Sequence, residues 1–178
     1  MATLIEAARA PDYPAEIVGV LSNKASAPGL GLAASNGIAT ASLAQSRFPS
    51  RDMFEDTMTQ VLESWETDIV CLAGFMRILG EDFVARWQGR MINIHPSLLP
   101  AYKGLHTHER ALADGVGEHG CTVHFVTPGL DEGPAILQAR VPVLADDTSD
   151  TLSARVLVEE HRIYPEALRM LAGGEIGL

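Results

Sequence analysis

Short apolar runs alternate with longer amphipathic segments along this chain. Ile17–Leu21, Asp68–Ala73 and Arg90–Ile94 are each long enough for a strand but too short for a helix. Between the first two, Asp52–Trp65 carries apolar residues at the spacing of one helix face. Strands that are apolar on both sides are typical of parallel sheets with covered faces, and their alternation with helices is typical of α/β folds. We therefore predict a Rossmann-like, doubly wound α/β fold, with a mostly parallel sheet and helices on both faces.

Caps and turn residues divide the rest of the chain into further elements. No internal repeat or low-complexity tract interrupts them, so we interpret residues 1–178 as a single domain. The further predicted strands are Ile38–Leu43 at a sheet edge, Cys121–Thr127 and Ala135–Val143, and the further predicted helices are residues 2–10, Pro28–Asn36, Gly80–Trp87, Thr107–Asp114 and a last helix from Thr148 or Ser149 to about Leu171.

The charge and cysteine content argue against several classes of function. The net charge is −10, from 13 basic and 23 acidic residues, whereas nucleic-acid binding needs a basic face. No apolar run is long enough to span a bilayer, and the first residues do not form a secretory signal. Cys71 and Cys121 stand far apart and are interpreted as core thiols. We expect a cytoplasmic protein with no nucleic-acid, membrane or metal partner.

An amide and an imidazole close the strand predicted at Arg90–Ile94. Asn93 and His95 are two residues apart, so they point to the same side of the strand, and Pro96 ends it. A later loop offers the carboxylate of Asp131. These are the groups needed to stabilise an oxyanion and to move a proton. A lone histidine would more simply cap the strand, but the combination favours catalysis.

Five segments of the chain resemble one enzyme family. They are Leu72–Leu79, Asn93–Pro100, Gly104–His108, Gly120–Val126 and Leu130–Pro134. Together they are similar to the phosphoribosylglycinamide formyltransferases, over residues 1 to about 173. The Asn-x-His and Asp set is shared with other formyl-folate enzymes, whereas Gly-Leu-His-Thr-His is more particular to this family. The resemblance implies transfer of a formyl group from the co-substrate 10-formyltetrahydrofolate to the amine of glycinamide ribonucleotide in purine biosynthesis.

The resemblance also implies a role for each polar side chain at the strand end. His95 is the general acid and donates to the oxyanion, and Asn93 is the second donor. Asp131 pairs with His95, and because a carboxylate favours the imidazolium form, we expect this pair to keep the acid available near neutral pH. We interpret three other histidines as structural, namely His119, His124 and His161.

Two sets of binding residues follow from the same resemblance. The folate set comprises Arg51, Met76, Arg77, Ile78, Leu79, Asn93, Thr127, Pro128, Gly129, Leu130 and Asp131. The ribonucleotide set comprises Gly74, Met76, Pro96, Gly104 and Glu160. Taken alone, Arg51 and Glu160 would be solvated surface charges, and Phe75–Leu79 would fit ordinary core. No metal is expected, since His106 and His108 lack a third ligand. We expect small-molecule partners and a monomer or homodimer.

The chain departs from the family pattern at its start. Members of this family begin with a central strand and a Gly-Ser-rich loop that binds the substrate phosphate, whereas this sequence opens on the helix that follows. We therefore expect a formyltransferase fold without its first strand, with a hole in the sheet and two strands that lack a neighbour. We also expect poor phosphate affinity and a natural reading frame that starts before Met1.

Three other interpretations share part of this pattern. A formyltetrahydrofolate hydrolase would transfer the formyl group to water instead of an amine. A methionyl-tRNA formyltransferase would need a basic surface or an extra domain, which this acidic sequence does not offer. An inactive, truncated folate-binding remnant would bind folate without transferring the formyl group.

Overall fold

Six α-helices and six strands alternate along most of the chain in the computed structural model, which describes residues 1–178. Every predicted element is present, with ends that differ by no more than three residues. The helices are α1 (Ala2–Ala7), α2 (Pro28–Ser35), α3 (Arg51–Ser64), α4 (Glu81–Arg86), α5 (Thr107–Ala113) and α6 (Ser149–Ala172). The strands are β1 (Gly19–Ser22), β2 (Ala39–Ser42), β3 (Val70–Leu72), β4 (Met91–His95), β5 (Glu118–Phe125) and β6 (Ala135–Pro142).

Side-chain caps set the starts of the two longest helices. The Ser50 hydroxyl accepts a hydrogen bond from the Met53 backbone N–H at 3.2 Å and begins α3. Thr148 begins α6 in a capping box with Thr151. Such caps satisfy backbone donors that the first turn leaves free, and both predicted starts are confirmed.

No helix has the combination of length and apolarity that a membrane crossing requires.

The strands form two sheets with different directions of pairing. β1 pairs with β2 in parallel, while the larger sheet has the order β3-β4-β5-β6. Within it β3 and β4 are parallel, but β5 runs antiparallel to both β4 and β6. The predicted α/β fold is confirmed. The antiparallel pairing of β5 with β6 follows from the short connection between them, since a parallel pair needs a longer crossover.

Two buried clusters lie on opposite faces of the four-stranded sheet. Met91 and Ile92 follow each other in β4 and are both fully buried (0% exposed), yet they belong to different clusters because successive side chains point to opposite faces. Ile92 packs in the cluster that α1 and α6 cover. Met91 packs in the cluster that α3 and α4 cover. Helices therefore cover both faces, as predicted.

A gap separates the two sheets between β1 and β3. β1 pairs only with β2, and β3 has β4 as its one neighbour. A cavity of about 660 Å³ lies between the two strands and is lined by every residue of both. The hole in the sheet and the two strands without a neighbour, which the sequence predicts, are therefore present.

Candidate active site

Two polar side chains stand at the end of β4, and β5 adds a third beside them. Asn93 and His95 lie on one side of β4 because strand side chains alternate. The antiparallel register places His124 of β5 opposite Asn93. The loop that follows β5 then returns Asp131 to the same place. The structure therefore brings Asn93, His95 and Asp131 into one group and adds His124 to it.

The imidazole of His95 is held between two acceptors. Its Nδ1 lies 3.4 Å from an Asp131 carboxylate oxygen, and its Nε2 lies 2.9 Å from the carbonyl oxygen of Tyr102. The residue is only 6% exposed, so water screens these contacts little. An imidazole with an acceptor at each nitrogen can carry both ring protons as donors.

Asp131 occupies the centre of the group. One of its oxygens accepts a hydrogen bond from the Gly104 backbone N–H at 2.8 Å, and the other lies 3.7 Å from His124 Nε2. Its backbone is left-handed, with φ of 51°, which an aspartate adopts at a cost. Strained backbone of this kind persists where surrounding contacts hold it, and such positions cluster at functional sites.

His124 is the member of this group that sequence reasoning missed. Its Nδ1 lies 2.8 Å from the Phe125 carbonyl oxygen, which can only accept, so Nδ1 carries the proton. Nε2 is then free to accept from the amide of Asn93 at 3.2 Å. Burial is the main reason that the pKa of His124 is lowered, which keeps the ring neutral and Nε2 an acceptor. The sequence predicted a structural role for His124 and did not predict its contact with Asn93.

Buried hydrogen bonds fix the turn that follows β4. The Thr122 hydroxyl donates to the Ser97 carbonyl at 2.7 Å and accepts from the Leu99 backbone N–H at 3.0 Å. Gln138 donates to the same hydroxyl at 2.9 Å. Thr122 and Ser97 are both fully buried (0% exposed). The turn that carries Pro96 is therefore tied to β5 and β6.

Part of the predicted folate set lines a second cavity. Arg51 and Met76–Leu79 surround about 280 Å³ of space after the end of β3. Met76 and Ile78 are 74% and 68% exposed, whereas Leu79 is buried in the α3–α4 cluster. Thr127–Asp131 does not line this cavity, and of these residues Asp131 contacts His95. β3 and β4 are parallel neighbours, so the loops after them leave the same edge of the sheet.

The predicted ribonucleotide set is more dispersed. Gly104 contacts Asp131, and Pro96 directly follows His95. Gly74, with φ of 69°, instead lines the gap between β1 and β3. Glu160 lies on α6, where burial raises its pKa and the Met1 amine opposes that shift. No hydrogen bond or ion pair joins Glu160 to the group around His95.

The histidines at 106 and 108 do not form a pair. His106 is exposed and lies 3.6 Å from Glu109, whereas the ring of His108 packs edge-on against His119 at 5.1 Å. No group of three or more His, Cys, Asp or Glu side chains in residues 1–178 could hold a metal ion. The polar groups that meet at the end of β4 are an amide, two imidazoles and a carboxylate.

Comparison with known proteins identifies the family. A formyl transferase family model matches residues 1–168. Phosphoribosylglycinamide formyltransferase of Escherichia coli is 48% identical over 97% of this chain and 82% of its own length. The trifunctional purine biosynthetic protein adenosine-3 of Bos taurus is 50% identical over 98% of this chain, which spans only 17% of that protein.

Solved structures agree with this assignment. Phosphoribosylglycinamide formyltransferase from Coxiella burnetii superposes with a TM-score of 0.94 at 47% identity, covering 99% of this chain and 83% of its own. The enzyme of that name from Brucella melitensis gives 0.92 at 54% identity, covering 96% and 88%. Both the sequence and the fold of the chain therefore place it in the formyl transferase family, among the phosphoribosylglycinamide formyltransferases.

Proposed function

We propose that this protein transfers the formyl group of 10-formyltetrahydrofolate to the amine of glycinamide ribonucleotide, as a step of purine (IMP) biosynthesis. The observation that carries the proposal is the convergence of Asn93, His95 and Asp131 at the end of β4. The names of the relatives support the choice of acceptor, since those proteins are called phosphoribosylglycinamide formyltransferases. We place the reaction in the cytoplasm, with the protein as a monomer or homodimer.

The reaction needs donors for an oxyanion. A formyl group on a folate nitrogen is an amide, and attack by the substrate amine gives a tetrahedral intermediate with a negative oxygen. Asn93 supplies one N–H donor and His95 supplies another. Donors placed in advance at such an oxygen are worth more in a water-poor site than in bulk water. The 3.4 Å contact between His95 Nδ1 and Asp131 is longer than an ordinary hydrogen bond, so this N–H is available to a substrate oxygen.

The reaction also needs proton transfer. The attacking amine loses a proton, and the folate nitrogen gains one when the carbon–nitrogen bond breaks. His95 is the general acid of the proposal, and the Asp131 carboxylate favours the imidazolium form that this role requires. A water held beside Asp131 would relay the proton of the amine.

His124 acts in this proposal as a positioning residue. Its unprotonated Nε2 accepts one N–H of the Asn93 amide. That contact fixes the rotation of the amide and leaves the second N–H free to donate towards the site. A neutral His124 is essential to this arrangement, because a protonated ring would have no acceptor to offer.

Exposed apolar side chains support folate binding beside this group. Met76 and Ile78 flank the 280 Å³ cavity, and Leu130 stands 54% exposed next to Asp131. Apolar surface of this kind at a cleft is typical of a binding site for an aromatic ring. We assign the pterin to the space between the loop 76–79 and the loop 127–131, and an anionic folate tail to Arg51.

The ribonucleotide takes the remaining positions. Gly104 and Pro96 lie next to the reacting groups, so they would face the glycinamide end. Gly74 lies at the end of β3, where a backbone approach by the substrate needs no side chain. Glu160 would accept hydrogen bonds from ribose hydroxyls, as carboxylates commonly do.

Turnover of 10-formyltetrahydrofolate with and without glycinamide ribonucleotide tests the proposal. We expect folate product only when the ribonucleotide is present, with one formylated ribonucleotide for each folate released. Turnover that ignores the ribonucleotide would identify a hydrolase and contradict the proposal. Folate binding by calorimetry without any turnover would identify an inactive remnant and contradict it equally.

A further inference from the structure

The segment that leads into α5, which we call the 101–106 loop, has an unusual backbone. Every second residue from Tyr102 onwards is left-handed, with φ of 53° at Tyr102, 77° at Gly104 and 58° at His106. Glycine adopts this conformation freely, whereas tyrosine and histidine adopt it at a cost. Backbone strain of this kind persists only where surrounding contacts hold it in place. The conformation of the 101–106 loop therefore depends on its contacts.

Two backbone groups of the 101–106 loop bond to the proposed catalytic group. The Tyr102 carbonyl oxygen lies 2.9 Å from His95 Nε2 and can only accept, so the imidazole ring donates to it. The Gly104 N–H donates to the Asp131 carboxylate at 2.8 Å. These two backbone groups keep their places only while the loop keeps its conformation. The orientation of His95 and Asp131 therefore depends on this loop.

One side chain of α5 spans the 101–106 loop. Arg110 Nη1 donates to the Lys103 carbonyl oxygen at 2.7 Å and to the Leu105 carbonyl oxygen at 3.3 Å. Its guanidinium carbon lies 5.4 Å from the centroid of the Tyr102 ring, within the range of a cation–π contact. The guanidinium is always charged, and hydrogen bonds from a charged donor are stronger than those between neutral groups. Arg110 therefore contacts three residues of the loop at once.

The helix that carries Arg110 is itself fixed. Thr107 and Ala111 are one turn apart on α5, and both are buried. Helix side chains point back over the preceding turn, and for Arg110 that turn is the one next to the loop. Asp114, directly after α5, accepts a hydrogen bond from the Tyr102 hydroxyl at 3.0 Å. The loop is thus tied to a helix that is anchored in the core.

The other charged side chains of the 101–106 loop face carboxylates instead of its backbone. Lys103 Nζ lies 2.9 Å from Glu132, and His106 Nδ1 lies 3.6 Å from Glu109. Such exposed pairs of side chains usually contribute little to stability. Arg110, by contrast, directs its donors at two backbone carbonyl oxygens of the loop. It is therefore the charged side chain that is best placed to fix the loop backbone.

We propose that Arg110 is a positioning residue for formyl transfer, which acts by holding the 101–106 loop. The loop then keeps its two backbone contacts with His95 and Asp131. This inference rests on the proposed function, because it gives Arg110 a part in the same reaction. No hydrogen bond or ion pair joins Arg110 to His95 or Asp131. Loss of Arg110 should therefore lower kcat, while KM for 10-formyltetrahydrofolate changes little.

Arg110→Met tests the proposal, since it keeps an unbranched side chain beside Tyr102 and removes the donors to the loop. Amide hydrogen exchange is measured by NMR on the whole protein without substrates. Steady-state kinetics then give kcat and KM for ribonucleotide-dependent formyl transfer. We expect the Gly104 amide to exchange about tenfold faster and kcat to fall about tenfold, with little change in the thermal midpoint.

Two further variants separate positioning from a general effect. Arg110→Lys keeps a charged donor but not the planar guanidinium, so it should recover part of both losses. The matched control is Arg86→Met, which removes an exposed arginine of α4 that pairs with Glu63. We expect wild-type exchange at Gly104 and wild-type kcat in this control.

The outcomes are distinct. Faster Gly104 exchange and a lower kcat in Arg110→Met, both partly restored in Arg110→Lys and absent in Arg86→Met, would support the proposal. Unchanged Gly104 exchange, or an equal change in Arg86→Met, would overturn it. A wild-type kcat in Arg110→Met, or a loss that appears only as a higher KM, would overturn it as well. A wild type without turnover would contradict the proposed function, whereas Gly104 exchange would still decide whether Arg110 holds the loop.

Discussion

The four-stranded sheet and the β1–β2 pair of this protein differ in how firmly they are held. β5 is buried in seven of its eight residues, and every strand from β3 to β6 has a partner within one continuous sheet. β1 is only half-buried along its length, and three of the four β2 residues are exposed. The proposed catalytic group stands entirely on the firmer sheet and the loops attached to it. A site that holds four side chains within a few ångströms needs a framework that does not open locally.

The largest effect that follows from this contrast is catalytic. Asp131→Asn keeps the shape of the side chain and an acceptor for Gly104, but it removes the charge beside His95. We expect kcat for ribonucleotide-dependent formyl transfer to fall by about 10²–10⁴-fold, with little change in thermal stability. The control is Glu132→Gln, which removes the neighbouring exposed charge. Comparable losses in the two variants would show that general charge, and not the position of Asp131, matters.

The second predicted effect is a difference between the two sheets in how much a core substitution lowers the free energy of unfolding. Ile92→Ala leaves a cavity in a fully buried site of β4, so we expect it to lower the free energy of unfolding by about 2–5 kcal/mol. Leu21→Ala in half-buried β1 should cost about 1 kcal/mol. Chemical denaturation measures both values. If the two substitutions cost the same, the β1–β2 pair is as firmly held as the larger sheet.

The third predicted effect is a loss of folding stability in acid, caused by a buried histidine of the four-stranded sheet. Burial lowers the pKa of His119 to about 4, from 6.5 in an ordinary environment, and its Nε2 has no hydrogen-bond partner. Between these two pH values His119 binds a proton in the unfolded chain but not in the folded protein. Stability is therefore full above about pH 6.5 and falls as the pH drops towards 4.

His119→Phe keeps the edge-on contacts with Tyr102 and His108 and removes this proton. We expect the free energy of unfolding to fall by about 3 kcal/mol less in the variant than in the wild type between neutral pH and about pH 4. Denaturant titrations at both pH values provide the measurement, with His161→Gln on the surface of α6 as control. An unchanged loss in His119→Phe would mean that other groups cause the acid sensitivity.

The smallest effect tests the contact between the strands β4 and β5. His124→Phe removes the acceptor for the Asn93 amide, and we expect kcat to fall by about tenfold, with KM little changed. His124→Gln can still accept and should recover most of the activity. The wild-type rate should also fall at low pH as His124 becomes protonated. This decrease should be absent in His124→Gln. Equal rates for the two variants would assign His124 a packing role only.

The sequence predicts local features well and distant contacts poorly. The strand that ends at His95 and the shared side of Asn93 and His95 follow from alternation along one strand. The contact of Asn93 with His124 depends on the antiparallel register of β4 and β5, which no local pattern encodes. The antiparallel pairing of β5 with β4 depends on the same tertiary arrangement.

Ambiguity of apolar runs accounts for the remaining differences. The sequence of Phe75–Leu79 is compatible with both a pocket wall and ordinary core. In the structure Ile78 is exposed, whereas Leu79 is buried. The gap beside β1 and β3, by contrast, could be predicted, because a doubly wound sheet places its first strand at the centre. Rules that concern the whole fold can therefore be more reliable than the composition of a short run.

A double-mutant cycle of Asn93→Ala and Asp131→Asn tests the central claim most directly. The measured quantity is kcat for formyl transfer to glycinamide ribonucleotide in the wild type, the two single variants and the double variant. If the amide, the imidazole and the carboxylate act as one unit, the double variant should be about as slow as the slower single variant. Losses that multiply would show that Asn93 and Asp131 act independently, and would contradict the account of a single catalytic group at the end of β4.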